Sequence, residues 1–154
     1  MRLWRLSSRQ FAEVFNGGYG LNFDGRWNRQ GHPVTYCATS PSLCILEKLV
    51  HVDDPLLLPP MTMVLYEAPD SILVESHTLG DLPADWQRRE SLTQDMGTAW
   101  LTARSSALLQ VPSAIVAISG VPDVNLLINH HHPASHEIVI IDIIPFRFDP
   151  RLLA

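Results

Sequence analysis

The sequence predicts a single α+β domain, residues 1–154, built of small mixed β-sheets with flanking helices. Three observations carry that expectation. Hydrophobic residues make up 46% of the 154 positions against 18% charged, enough apolar material for one packed core and too much for disorder. Apolar runs of strand length recur, but helices fall between them irregularly, without the βαβ alternation of a doubly wound sheet. No G-x-G-x-x-G stretch follows any of those runs, so the dinucleotide signature of such sheets is missing.

Taken in order, Leu3–Leu6 reads as a short opening strand. Ser7 and Gln10 form S-x-x-Q, a capping-box pattern that predicts a helix running to about Phe15. Gly17, Gly18 and Gly20 end it and begin a loop that continues through G-R-W-N to Gly31. Val34–Cys37 is the next strand. Ser40 then Pro41 gives a cap followed by proline at the first helical position, with Leu43, Leu46, Leu49 and Val50 as the apolar face. Pro55, Pro59 and Pro60 stop that helix. Thr62–Tyr66 alternates as a strand does, and Ile72–Val74 is a shorter candidate. Thr93 to about Ser106 is expected to be helical with Trp100 inward, and four strands complete the chain: Leu108–Val111, Ile115–Ile118, Leu126–Ile128 and Ile138–Ile144.

Charge and composition exclude several functions. A formal net charge of −5 argues against a general binder of phosphate backbones, which needs a basic face. The opening M-R-L-W-R-L-S-S-R-Q lacks the apolar stretch of a secretory signal, and the longest apolar runs are too short to span a membrane. A cytoplasmic protein without membrane contact is expected. Cys37 and Cys44 lack C-x-x-C spacing and read as reduced, half-buried thiols.

Few residues invite chemistry. Glu47 follows Leu43 by four and precedes Val50 by three, at the edge of a helical apolar face. It either turns inward to a partner or snorkels outward as a surface glutamate. Arg26, in G-R-W-N, offers a planar fork of donors suited to phosphate or carboxylate, or else stacks on Trp27. Tyr36 reads as a core tyrosine with a satisfied hydroxyl or as an aromatic face for a ligand. Ser113, in V-P-S-A, lacks the elbow and base of a nucleophile, which leaves hydrogen bonding or turn chemistry. His130, His131, His132 and His136 are dense enough to suggest a metal, but Pro133 keeps them off a common helix face.

These stretches together resemble the RES-domain toxins of bacterial toxin–antitoxin pairs, a family named for characteristic Arg, Glu and Ser residues. The matching segments are W-R-L, G-R-W-N with G-H-P-V-T-Y, S-P-S-L-C-I-L-E, V-P-S-A, N-L-L-I-N-H-H-H-P and the closing F-D-P-R-L. They cover nearly the whole chain in the family's order. One departure stands out: His130 occupies the place of the proline that follows N-L-L-I-N in the family.

The resemblance implies an ADP-ribosyltransferase-like fold that destroys NAD as substrate, with no tightly bound cofactor and no metal. Carried over by motif, Arg26, Glu47 and Ser113 are the naming residues, Tyr36 the family's tyrosine and Arg5 the arginine of the first strand. Arg5, Arg26, Trp27, Asn28 and Tyr36 are then expected at the dinucleotide, Ser113 at its amide, and Glu47 at the ribose. The implied partner is a helix-turn-helix, Xre-like antitoxin that blocks the site and carries any DNA contact, in a complex that allows a homo-oligomer. Transfer of ADP-ribose to a protein is the rival within the same chemistry. A non-catalytic interaction module and a metal hydrolase on the histidine cluster are the alternatives outside it.

Overall fold

Period-two alternation of apolar side chains decides most of the architecture. In the computed structural model, which describes residues 1–153, strands β1 (Arg2–Ser8), β2 (Val34–Ala38), β3 (Met61–Glu67), β4 (Val74–Ser76), β5 (Leu108–Pro112), β6 (Val124–Asn129) and β7 (Val139–Phe146) form one sheet. Its order is β4-β5-β6-β2-β1-β3-β7. Only β4 and β5 pair in parallel; the remaining neighbours are antiparallel.

The sheet has a narrow seam. β1 follows β3 from Arg2↔Glu67 to Ser8↔Met61, yet it meets β2 through the single pair Trp4↔Ala38. Two smaller sheets therefore join at one point, which reconciles the expected small sheets with one continuous strand order. Helix α2 (Pro41–Leu49) leaves β2 at that seam, capped by Ser40, whose hydroxyl accepts from Leu43 N at 3.2 Å. Leu43 and Cys44 go inward with Ala38 and Met63, while Leu46 and Val50, expected on the apolar face, lie exposed because the helix turns its Cys44 side to the sheet. The inward stripe thus runs Leu43, Cys44, Glu47, and the glutamate lies on it.

One sheet face carries Val34, Leu109, Val111 and Leu127 against Trp100 and Leu101 of helix α3 (Glu90–Ala103). The other carries Leu3, Cys37, Val64, Tyr66, Leu126 and Ile128. Each fully buried leucine or isoleucine in these layers stabilises by roughly 1.5–3 kcal/mol. Both thiols are free and buried; burial pushes them up, Cys44 to about 12, so neither is reactive near neutrality.

Three further expectations fail. The helix expected from Ser7 to Phe15 is replaced by the end of β1 and a 3-10 turn, Arg9–Phe11. Pairing with β3 holds the chain extended through Ser8, and the Arg5 guanidinium takes the carbonyls of Phe11, Ala12 and Val14 that helical turns would use. The loop expected after Gly17 contains a short helix, α1 (Gly18–Asn22), entered through Gly17 at a left-handed φ of 70°. Ile115–Ile118 is not a strand, because the Ser113 hydroxyl accepts from the N–H groups of Ile115 and Val116 and turns the chain. The fourth strand lies two residues beyond Ile72–Val74, and α3 begins three residues before Thr93.

Candidate active site

The loop after α1 is held from behind. Gly25 N donates to Asn28 O at 2.9 Å, closing a tight turn with Arg26 and Trp27 at its tip. Trp27 is 1% exposed and wedges against Trp86, Trp100 and Leu127. Helix α3 fastens the turn's backbone: the Thr93 hydroxyl donates to Arg26 O at 2.6 Å, Gln94 Nε2 to Gly25 O at 3.0 Å, and Arg29 N to the Thr98 hydroxyl at 3.0 Å. Gly97 makes the approach possible, since a Cβ there would lie 1.8 Å from the Trp27 carbonyl oxygen. The tryptophan ring is the anchor of this turn.

With the ring buried, Arg26 is turned outward. Its Nη1 donates to Gln87 O at 3.3 Å, and its guanidinium lies 5.9 Å from the Trp86 ring centroid. Nε and Nη2 make no hydrogen bond to the described residues, so most of the donor fork stays open to an anion. Tyr36 stands behind the turn: its hydroxyl donates to Asn28 Oδ1 at 2.7 Å and accepts from Trp27 N at 3.0 Å. Burial pushes this phenol far up, so it stays protonated. Asn28, 0% exposed, also donates to Phe23 O and Arg29 O.

Glu47 finds partners inward. Its Oε1 accepts from the Ser113 hydroxyl at 2.9 Å and from Asn125 Nδ2 at 2.7 Å. Ser113 is fully used by this bond and the two backbone N–H groups it accepts from, at 0% exposure. Oε2 has no hydrogen-bond partner among the described residues. Tyr36 pairs with Leu127 and Ala38 with Asn125, so Tyr36 and Asn125 are diagonal neighbours on one sheet face, roughly 7–8 Å apart. Gln87 closes the group from the other side, its Nε2 donating to Ala114 O at 2.7 Å while its carbonyl receives Arg26.

Arg26, Trp27, Asn28, Tyr36, Glu47 and Ser113 are therefore brought to one side of the sheet. Arg5 is not. It lies on the opposite face, its guanidinium 5.6 Å from the Tyr66 ring and committed to the three carbonyls of the segment after β1. The histidines also have local employment. His130 Nε2 sits 2.7 Å from the Thr35 hydroxyl, and burial with the nearby Arg5 lowers its pKa from 6.5 to about 4. His132 Nδ1 accepts from Ala134 N at 3.2 Å. Among the described residues no three His, Cys, Asp or Glu side chains gather as a metal site requires.

Two members of the group had escaped the sequence. Asn125 opens N-L-L-I-N, but its orientation depends on the β2–β6 register, which no local pattern states. Gln87 carries no signal at all.

Known proteins resemble this chain in sequence and in fold. The profile of the RES domain matches residues 2–149. A Toxin Res of Yersinia enterocolitica is 36% identical over 157 aligned residues, covering 99% of each chain. A Toxin Res of Pseudomonas putida is 39% identical over 88% of each. A Prs ADP-ribosylating toxin of Sphingobium sp. is 32% identical, over 97% of this chain and 95% of its own. In three dimensions the chain is similar to one in the crystal structure of the M. tuberculosis MbcT–MbcA toxin–antitoxin complex. There the TM-score is 0.74 at 17% identity, with 94% of this chain and 83% of that one covered.

Proposed function

The chain belongs to the RES-domain family, and from that premise we propose that it is a toxin that cleaves the nicotinamide–ribose bond of NAD. The observation that carries this reading is the state of Glu47. One carboxylate oxygen is immobilised by Ser113 and Asn125, and the other has no hydrogen-bond partner among the described residues. A carboxylate held in that way is organised for a positive charge that develops beside it.

NAD supplies such a charge. As the bond between ribose C1′ and the pyridinium nitrogen breaks, its electron pair passes to the ring, which departs neutral, and the ribose becomes oxocarbenium-like. No general acid is needed for the leaving group. Oε2 of Glu47 stabilises that ribose by charge or through a hydrogen bond to a hydroxyl. Water adding to C1′ gives ADP-ribose and a proton; inorganic phosphate gives the phosphorylated sugar. Arg26 holds the pyrophosphate with the open part of its fork, and Tyr36 presents a ring face to nicotinamide or ribose. Ser113 and Asn125 act behind Glu47, and Trp27 and Asn28 behind Arg26. Arg5 is left out of the substrate site.

The name of the Sphingobium relative, an ADP-ribosylating toxin, favours a second reading, in which a protein side chain accepts the ADP-ribose. The same residues serve both, so only the acceptor separates them. Incubation with NAD, with and without phosphate and with a cell lysate, followed by mass analysis of products, tests both readings. Free nicotinamide with ADP-ribose or its phosphate supports the first. ADP-ribose found only on protein supports the second, and intact NAD in every arm removes both.

A cell making such an enzyme needs it restrained, and the similar chain of known structure comes from a toxin–antitoxin complex. The expected partner is a helix-turn-helix, Xre-like antitoxin that lays a chain segment over Arg26, an acidic group on it matching the guanidinium. It would also carry the DNA contact that a chain of net charge −5 is unsuited to make.

A further inference from the structure

Tyr19 and Phe23 leave two large rings in water beside the Arg26 turn. They are 57% and 59% exposed, their centroids 5.3 Å apart and their planes inclined by 35°. Two neighbouring rings exposed to this extent leave an aromatic face open to a planar group.

Their mounting ties them to the site. The Tyr19 hydroxyl donates to Asp24 O at 3.4 Å, and the Phe23 carbonyl accepts from Asn28 Nδ2 at 3.1 Å. Asn28 is the side chain that fixes the Tyr36 hydroxyl. The platform and the Arg26 turn are thus parts of one frame. Phe23 is extended, at φ −139° and ψ 149°, and precedes Arg26 by three residues, a reach of at most about 10 Å. One nucleoside unit fits that interval.

We propose that Tyr19 and Phe23 form the platform on which the adenine ring of the substrate stacks, a subsite for a purine base at the far end of the dinucleotide. The proposal rests on the reading of Arg26 as the pyrophosphate holder. A neutral, planar, two-ring heterocycle suits it: stacking on an aromatic face needs no charge and makes no demand on hydrogen-bonding pattern. The platform gives the enzyme a hold on NAD that nicotinamide mononucleotide, which lacks the adenylate half, cannot use.

The experiment compares kcat/KM for NAD and for nicotinamide mononucleotide in the wild type, Phe23→Ala, Tyr19→Ala and Phe23→Trp. Wild type that cleaves neither substrate refutes the proposed function and this subsite with it. Given an active wild type, each alanine variant is expected to reduce the preference for NAD by about 5- to 150-fold, the range that base–aromatic stacking spans. Phe23→Trp is expected to restore it. Thermal melting of each variant confirms the fold, since both rings are exposed. An unchanged preference in folded alanine variants overturns the platform. So does an equal loss for both substrates, which would make the rings part of the frame alone. Weakened antitoxin binding with the NAD preference intact would assign the surface to the protein partner and overturn it too.

Discussion

Glu47, Ser113 and Asn125 form a unit in which two side chains hold one oxygen of the Glu47 carboxylate and the proposed function gives the other to substrate. That division makes a prediction about non-additivity. Ser113→Ala alone is expected to lower NAD turnover, but added to Glu47→Gln it should cost little more, because the group it positions is already gone. Rates for the two single variants and the double variant check this; a double variant whose losses multiply would put Ser113 on the substrate. Ser113→Ala also leaves the N–H groups of Ile115 and Val116 without their acceptor, and urea denaturation should record a loss of about 1–3 kcal/mol. His130 gives a pH prediction. Its pKa lies near 4 in the fold against 6.5 ordinarily, so below 6.5 the unfolded chain binds a proton that the folded one refuses. Stability is therefore lost as pH falls from about 6.5 towards 4 and is unaffected by this group above that window. Thermal melts across that range should show a shallower acid decline for His130→Gln than for wild type.

Helix α3 and the Arg26 turn form the interlocked pair on which the site depends. Alanine is a better helix former than glycine by about 1 kcal/mol, so propensity alone expects Gly97→Ala to stabilise. The 1.8 Å approach of the Trp27 carbonyl oxygen to that Cβ reverses the sign. Gly97→Ala should lower the melting temperature and displace Arg26, so NAD turnover falls with it; a more stable, fully active variant would show that the turn tolerates displacement. This scale also marks what the sequence could state. The Ser40–Pro41 cap, the apolar strands and Trp100 were legible because each signal is local. Three features were not: Arg5 gathering carbonyls from six to nine residues away, Ser113 bending the segment after it, and Asn125 reaching Glu47 across 78 residues. All three are side chains competing with backbone or meeting across the fold, and composition and periodicity do not encode such bonds. Most of the candidate site was readable as motifs; which of its side chains keep open polar atoms and which are spent on holding them was not.

At the scale of the whole molecule, the seam at Trp4↔Ala38 sets α2 across the junction of two smaller sheets and so brings Glu47 to Asn125. The Arg26 turn reaches the same side from the loop between α1 and β2. A partner that covers Arg26 would close the site without touching its carboxylate, so co-expression with an antitoxin is expected to yield a complex silent towards NAD. A complex as active as the free toxin would contradict that arrangement. In the function proposed above, the carboxylate of Glu47 stabilises the ribose cation that develops as the nicotinamide–ribose bond breaks. The most direct test of that role is the initial rate of nicotinamide release from NAD by purified wild type and by Glu47→Gln, both shown to melt alike. Release by the wild type and a loss of ~10²–10³ in the variant are expected, the size of one preorganised electrostatic group. Equal rates from the two proteins, or no release from the wild type, would contradict that role.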